Sequence, residues 1–313
     1  MNKEAFHSEK IYQQQFARRE FLTMTGLAMI GTSLFPWENI KANSPSSPAK
    51  IALQLYTVRD QIEKNIADTL HRVAQFGFEA VETAFWPESI TIKQAGKYLK
   101  DAGLAVSSAH IELPTDDKKK NAMLEIAETF DCKKMIWHGW PEDKRYSSLD
   151  GTKELVDIYN KANHFAKSHG LQFGLHNHWW EYRNKVDGHF VYQVLKESVD
   201  PDIFFEIDTY WVKVAGHDPA KIVAEFGKRA PLLHIKDGPA KWNDSLPQDN
   251  PDPMVAVGQG TQNFPAIVQA ANGNTEWMIV EMDKTATDVF VAIQQSYNYL
   301  IKNKLAKGKK AVS

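Results

Sequence analysis

From residue 50 onward the chain repeats one pattern. A short apolar run rich in β-formers closes on polar residues, and a longer amphipathic stretch follows. The runs occupy 51–56, 80–83, 105–110, 134–138, 172–178, 203–208, 232–237 and 277–283. Their starts lie roughly 25–45 residues apart, the length of a βα unit. Helix-like segments over 66–76, 92–102 and 155–169 each run up to a glycine (Gly77, Gly103, Gly170) suited to the left-handed position past a helix end. A last helix is expected over 286–304, with a solvated, disordered tail at 306–313. Eight strands, each followed by a helix, predict a single (β/α)8 barrel over 50–305. An open doubly wound sheet is the competing architecture, but no G-x-G-x-x-G follows the first run.

The first 45 residues do not share the pattern. Arg18-Arg19 precede Phe21-Leu22 and an uncharged stretch over 23–37, then the polar segment Asn43-Ser44-Pro45-Ser46-Ser47-Pro48. The apolar part is too short and too rich in small polar residues for a stable membrane span. It reads as an export leader of the twin-arginine type, removed near residues 42–48, which would deliver a folded protein to the periplasm. An amphipathic helix with a chance Arg-Arg pair is the alternative. The lone Cys132 excludes an intrachain disulfide framework and a cysteine-only metal site.

With 37 basic against 39 acidic side chains the chain has no basic face to meet nucleic acid. Its 11 histidines and 9 tryptophans are more informative. On a barrel strand, side chains two apart share a face, and chemistry collects at the C-terminal ends. The runs close on Glu82, His110, His138, His176 with His178, Glu206 with Asp208, His234 with Lys236, and Glu281 with Asp283. One such histidine would be an ordinary hydrogen-bonded residue. This many carboxylates and imidazoles in one mouth need a neutraliser, and a divalent cation is the simplest. The mixed donors suit Mn, Zn, Co or Fe, with Mg also open, better than Ca. Trp86, Trp137, Trp140, Trp179, Trp180, Trp211 and Trp242 lie at or just beyond strand ends. There they can pack the loops or stack on the C–H face of a small carbohydrate.

These segments carry a family likeness. Gly174-Leu175-His176-Asn177-His178-Trp179-Trp180-Glu181-Tyr182 resembles a Y-H-N-H-x-x-E-F segment. Glu206-Ile207-Asp208-Thr209-Tyr210-Trp211 with Ala215-Gly216-His217-Asp218-Pro219 resembles D-x-x-W…A-G-x-D-P. Leu233-His234-Ile235-Lys236-Asp237-Gly238, Val257-Gly258-Gln259-Gly260 and Ile279-Val280-Glu281-Met282-Asp283 resemble H-x-K-D, V-G-x-G and I-V-E-x-D. Together, over residues 50–305, they resemble the sugar phosphate isomerase/epimerase family of xylose isomerase-like barrels. The resemblance implies one divalent metal held by Asp208, His234, Glu281 and a fourth ligand from strand five. Many relatives have a glutamate there; this chain has His176, with His178 competing for the place. Relatives that epimerise ketoses use the strand-five and strand-eight glutamates as their two proton carriers, so losing one bears on the reaction.

The expected chemistry is proton abstraction beside a sugar carbonyl, with the metal stabilising the enediolate. Reprotonation makes an isomerase or epimerase; expulsion of a β-substituent makes a lyase, and addition of water a hydratase, with 3-keto-glycosides as substrates. Glu281 is expected as ligand and base, and His178 or Glu82 as second proton carrier. Lys236 would stabilise the oxyanion or pair with Glu206. His110, His138, Trp140, Trp180 and Trp211 are expected to bind substrate, and Glu181 to bind substrate or support the metal. Gly258-Gln259-Gly260 could cradle a phosphate or merely bend a loop. An exported protein favours an unphosphorylated sugar. A non-catalytic sugar-binding barrel and an abasic-site endonuclease are the rivals, the second opposed by the charge balance. A homo-oligomer is left open.

Overall fold

A computed structural model describes residues 48–244 and 252–309; the expected leader lies outside them. Eight parallel strands form, one in each apolar run: β1 Lys50–Gln54, β2 Ala80–Thr83, β3 Ala105–Ile111, β4 Lys134–Trp137, β5 Gln172–His176, β6 Phe204–Asp208, β7 Leu232–Ile235 and β8 Trp277–Val280. Each pairs with its neighbours in chain order, and β8 closes on β1 with Leu53 beside Val280. The principal helices between and after them are α1 Arg59–Phe76, α2 Ile92–Asp101, α3 Asp117–Thr129, α4 Leu149–Ser168, α5 Val191–Ser198, α6 Pro219–Phe226, α7 Phe264–Ala271 and α8 Val289–Lys302. This is the (β/α)8 barrel that the spacing predicts.

Alternation along the strands builds two cores. Outward residues such as Leu53, Phe173, Ile207 and Leu233 pack under the helices. Inward residues Ala52, Ala80, Ile136, Phe204, Leu232 and Ile279 fill the lower barrel as an apolar plug. Phe204 fits because β5 carries Gly174 opposite it; a Cβ there would collide with the Phe204 ring. One step higher, two residues along each strand, the inward positions turn polar. The plug therefore supports a polar layer at the C-terminal end and seals it from below.

The helices depart from expectation mainly at their starts. Helix α1 begins at Arg59 because the chain turns directly off β1, and non-helical backbone at Asn65 (φ −161°) divides it where periodicity places the start. Ser148 caps α4 by accepting from the Gly151 N–H, so the helix starts at Leu149 rather than Leu155. The tail also differs. Leu305 and Ala306 are buried, Ile51 N–H donates to Lys307 C=O, and Lys309 N–H donates to Gly77 C=O. Residues 306–309 are thus tied by backbone hydrogen bonds to the chain at the start of β1 and before β2 rather than disordered, with Lys307 and Lys309 exposed; 310–313 lie outside the described residues. Among the described residues no helix is long and apolar enough to cross a membrane.

Candidate active site

Strand register stacks the polar side chains in two levels on the barrel axis. It sets Gln54 beside Glu82, His176 beside Glu206, and Asp208 beside His234. In the lower level Glu82, fully buried, lies 2.6 Å from Gln54 Nε2, 2.5 Å from Ser108 Oγ and 2.7 Å from His234 Nε2. Beside it Glu206 Oε2 lies 2.7 Å from His110 Nε2, 3.1 Å from His176 Nδ1 and 3.2 Å from His234 Nε2. In the upper level Lys236 Nζ sits 2.9 Å from Asp208 Oδ2, 2.8 Å from Glu281 Oε2 and 2.8 Å from Asp283 Oδ1. The second Asp208 oxygen accepts the Tyr210 and Trp211 N–H groups, capping the short helix Thr209–Val214 and fixing the carboxylate.

Above these levels opens a cavity of about 470 Å³, a size that buries most of a small ligand. Of the expected residues, His110, His138, Trp140, His176, His178, Trp211, Lys236 and Glu281 line it. Others lie deeper. Glu82 is enclosed beneath His234 with both oxygens engaged, so it does not reach a substrate as a proton carrier. Trp180 is fully buried and stacks under His178 (4.3 Å, 13°), a wall behind the cavity rather than a sugar platform. Glu181 is also buried and accepts the His178 N–H at 2.9 Å, shaping the β5 loop without touching the carboxylate cluster. Lys236 pairs with Asp208, Glu281 and Asp283, not with Glu206.

Tyr56, Arg59 and Phe85 line the cavity without having been singled out. Each follows a strand end, the signal already used for the histidines, but none is a metal donor. The Gly258–Gly260 turn is no phosphate cradle. Its Gly258 and Gly260 N–H groups donate to Asp237 Oδ2 (2.9 Å each), and Gln262 N–H to Asp237 Oδ1. A Cβ at Gly260 would strike that carboxylate.

Burial and the neighbouring charges act against each other throughout the cluster. Burial opposes charge on His110, but Glu82 and Glu206 outweigh it and push the imidazole up to about 9. His234 is likewise raised by Glu206, Glu281 and Glu82 against the same burial. Burial would raise Glu281, yet Lys236 and His234 hold it ionised. Burial pushes Asp283 up to about 6. His176 and His178 are kept neutral by burial and by adjacent cations, His234 first for His176 and Lys236 for His178. Burial, then His110, lowers His138 to about 4; its Nδ1 accepts the Trp140 N–H, and its Nε2 lies 3.2 Å from Glu112.

Asp208, His234 and Glu281 offer ligand atoms within 4.8 Å of one another. Each carries a buried atom that makes no aligned hydrogen bond: Asp208 Oδ2, His234 Nδ1 and Glu281 Oε2. Two carboxylates and an imidazole, converging and met only by Lys236 and one another, fit a divalent first-row cation. Such a cation would displace the proton from His234 Nδ1, reversing the upward shift there. His176 stands at the edge, its Nε2 4.0 Å from Asp208 Oδ2.

Comparison with known proteins agrees with the barrel fold. A search of curated proteins gave no significant match. Two crystal structures of sugar phosphate isomerase/epimerases from Parabacteroides distasonis are similar. One is 25% identical with a TM-score of 0.68, covering 83% of this chain and all of its own. The other is 23% identical with a TM-score of 0.65, covering 86% of this chain and 97% of its own. An L-ribulose 3-epimerase shares the fold at 17% identity and a TM-score of 0.58, over 82% of this chain and 94% of its own. The model of the xylose isomerase-like TIM barrel family matches residues 70–301, and the chain belongs to that family.

Proposed function

We propose that the protein is a divalent-metal-dependent isomerase or epimerase-type enzyme that removes a proton beside the carbonyl of an unphosphorylated keto-sugar or keto-glycoside. The observation that carries this reading is the convergence of Asp208 Oδ2, His234 Nδ1 and Glu281 Oε2 under a cavity walled by imidazole and indole. Asp208, His234 and Glu281 would hold the metal, with a strand-five histidine as fourth ligand. A bound dication supplies polarisation of the substrate carbonyl, which acidifies the adjacent C–H. Glu281, ionised and facing the cavity, takes that proton. Glu281 can return the proton to the neighbouring carbon; for return to the opposite face His178, neutral and lining the same cavity, would first take a proton from solvent. Lys236, held by three carboxylates, brings positive charge to the developing oxyanion. The glycine turn, filled by Asp237, leaves no amide cradle there for a phosphate.

A second reading, lyase or hydratase action on 3-keto-glycosides, is favoured by His176 standing where many relatives carry a second carboxylate. Beside Glu281 the walls then offer His110, whose imidazole, against burial, Glu82 and Glu206 push up to about 9, an unequal pair suited to a base on one side and an acid at a leaving group. Incubating metal-loaded protein with keto-sugars and 3-keto-glycosides in D₂O tests both. Deuterium wash-in with a rearranged sugar supports the first, and an eliminated or hydrated product supports the second. Binding without any exchange would leave a sugar-binding barrel. Export to the periplasm by the leader at 1–45 belongs to the same proposal. Periplasmic recovery that fails in the Arg18→Lys/Arg19→Lys double variant would support it.

A further inference from the structure

Metal-binding imidazoles are oriented by what their other nitrogen meets, and here that partner is a carboxylate layer beneath the site. We infer that Glu82 and Glu206 form a carboxylate floor that sets the tautomers of His234 and His176, so that His234 presents Nδ1 and His176 presents Nε2 to the metal. The inference rests on the metal reading above and adds which residues position the ligands.

Glu82 is the firmer half of the floor. It is wholly buried, and Gln54 Nε2 and Ser108 Oγ anchor its two oxygens. A carboxylate so held can only accept, so the His234 Nε2 at 2.7 Å must donate and keep its proton. The proton exchangeable for a cation is therefore the one on Nδ1, which faces Glu281 Oε2 at 2.6 Å. His176 repeats the arrangement more loosely. Its Nδ1 points down to Glu206 Oε2 at 3.1 Å, and its Nε2 looks across to Asp208. The buried Nδ1 of neither strand-five histidine makes an aligned hydrogen bond, but only that of His176 has a carboxylate within reach; the His178 ring lies on Trp180. The floor thus also chooses between the two strand-five histidines in favour of His176.

The test is Mn²⁺ affinity by titration calorimetry and chelator competition, with ¹⁵N-histidine NMR on the full-length protein. Wild type is expected to bind one equivalent, and Glu82→Gln to bind it about 10–100-fold more weakly while keeping its circular dichroism. His176→Ala should weaken binding more than Glu82→Gln does, and His178→Ala should leave it near wild type. Metal-loaded wild type should show His234 as the Nε2–H tautomer, a reading that stands even where a variant does not fold. Unchanged affinity in Glu82→Gln, or an Nδ1–H tautomer at His234, would overturn the floor. Two tight equivalents would overturn it too, by making the lower carboxylates ligands themselves. No Mn²⁺ binding by wild type would remove the metal reading and the floor with it.

Discussion

Glu181 shows how one side chain can be legible in type and misjudged in role. Its place in the strand-five motif suggests a group near metal or substrate. In the fold it is buried behind the loop, and burial pushes it up to about 8. It is therefore protonated at neutral pH while accepting the His178 N–H. The folded state holds a proton that the unfolded chain gives up near 4.5, so this group costs stability progressively as pH rises from about 4.5 through about 8. Glu181→Gln keeps the shape and the acceptor but cannot ionise. Urea midpoints across that window should fall less with pH in the variant than in wild type, converging at the acid end. Parallel curves would show that Glu181 is ionised in the fold.

At the level of elements, the eight strands were readable because each is a short apolar run with punctuation on both sides, and period-two alternation carried the inward polar residues with them. Helix ends were readable where a left-handed glycine follows, as at Gly77 (φ 113°) and Gly170 (φ 70°). What could not be read is pairing at long range. The strap from Lys307 to β1 is a backbone contact with no side-chain signature. The Glu82 partners come from β1, β3 and β7, and the inward phase of each strand does not say which level meets which. For the same reason Lys236 could be paired with Glu206 on paper, one level below its actual partners. The β7 loop offers an element-scale prediction. Asp237 accepts the N–H groups of Gly238, Gly258, Gly260 and Gln262. Asp237→Ala leaves these amides without their acceptor, each worth about 1 kcal/mol or more where water cannot replace it. A loss of about 3 kcal/mol or more in denaturant unfolding is expected, with faster amide exchange at 258–262 than elsewhere. Exchange unchanged there would mean that the loop holds its form without Asp237.

For the whole molecule, the barrel is apolar at one end of its axis and crowded with charge at the other. Glu82, Glu206, Asp208, Glu281 and Asp283 gather within a few residues of the strand ends, and Lys236 is the buried ammonium among them, only 2% exposed. It contacts Asp208 Oδ2 and Glu281 Oε2, two of the atoms that converge on the expected metal position. Lys236 and a dication therefore neutralise the same oxygens, and each lessens the need for the other. Removing one partner of a buried ion cluster costs about 3–5 kcal/mol. Lys236→Met should accordingly lower the unfolding free energy by about that much in chelator. In wild type, metal at about 100 times its Kd should add about 2.7 kcal/mol by mass action. The variant, freed of the competing ammonium, should bind Mn²⁺ more tightly and so gain more at the same metal concentration. The readout is the difference in thermal midpoint with and without Mn²⁺ for each protein. A larger shift in the variant means that lysine and metal share the oxygens. Equal shifts would place the metal where Lys236 does not reach.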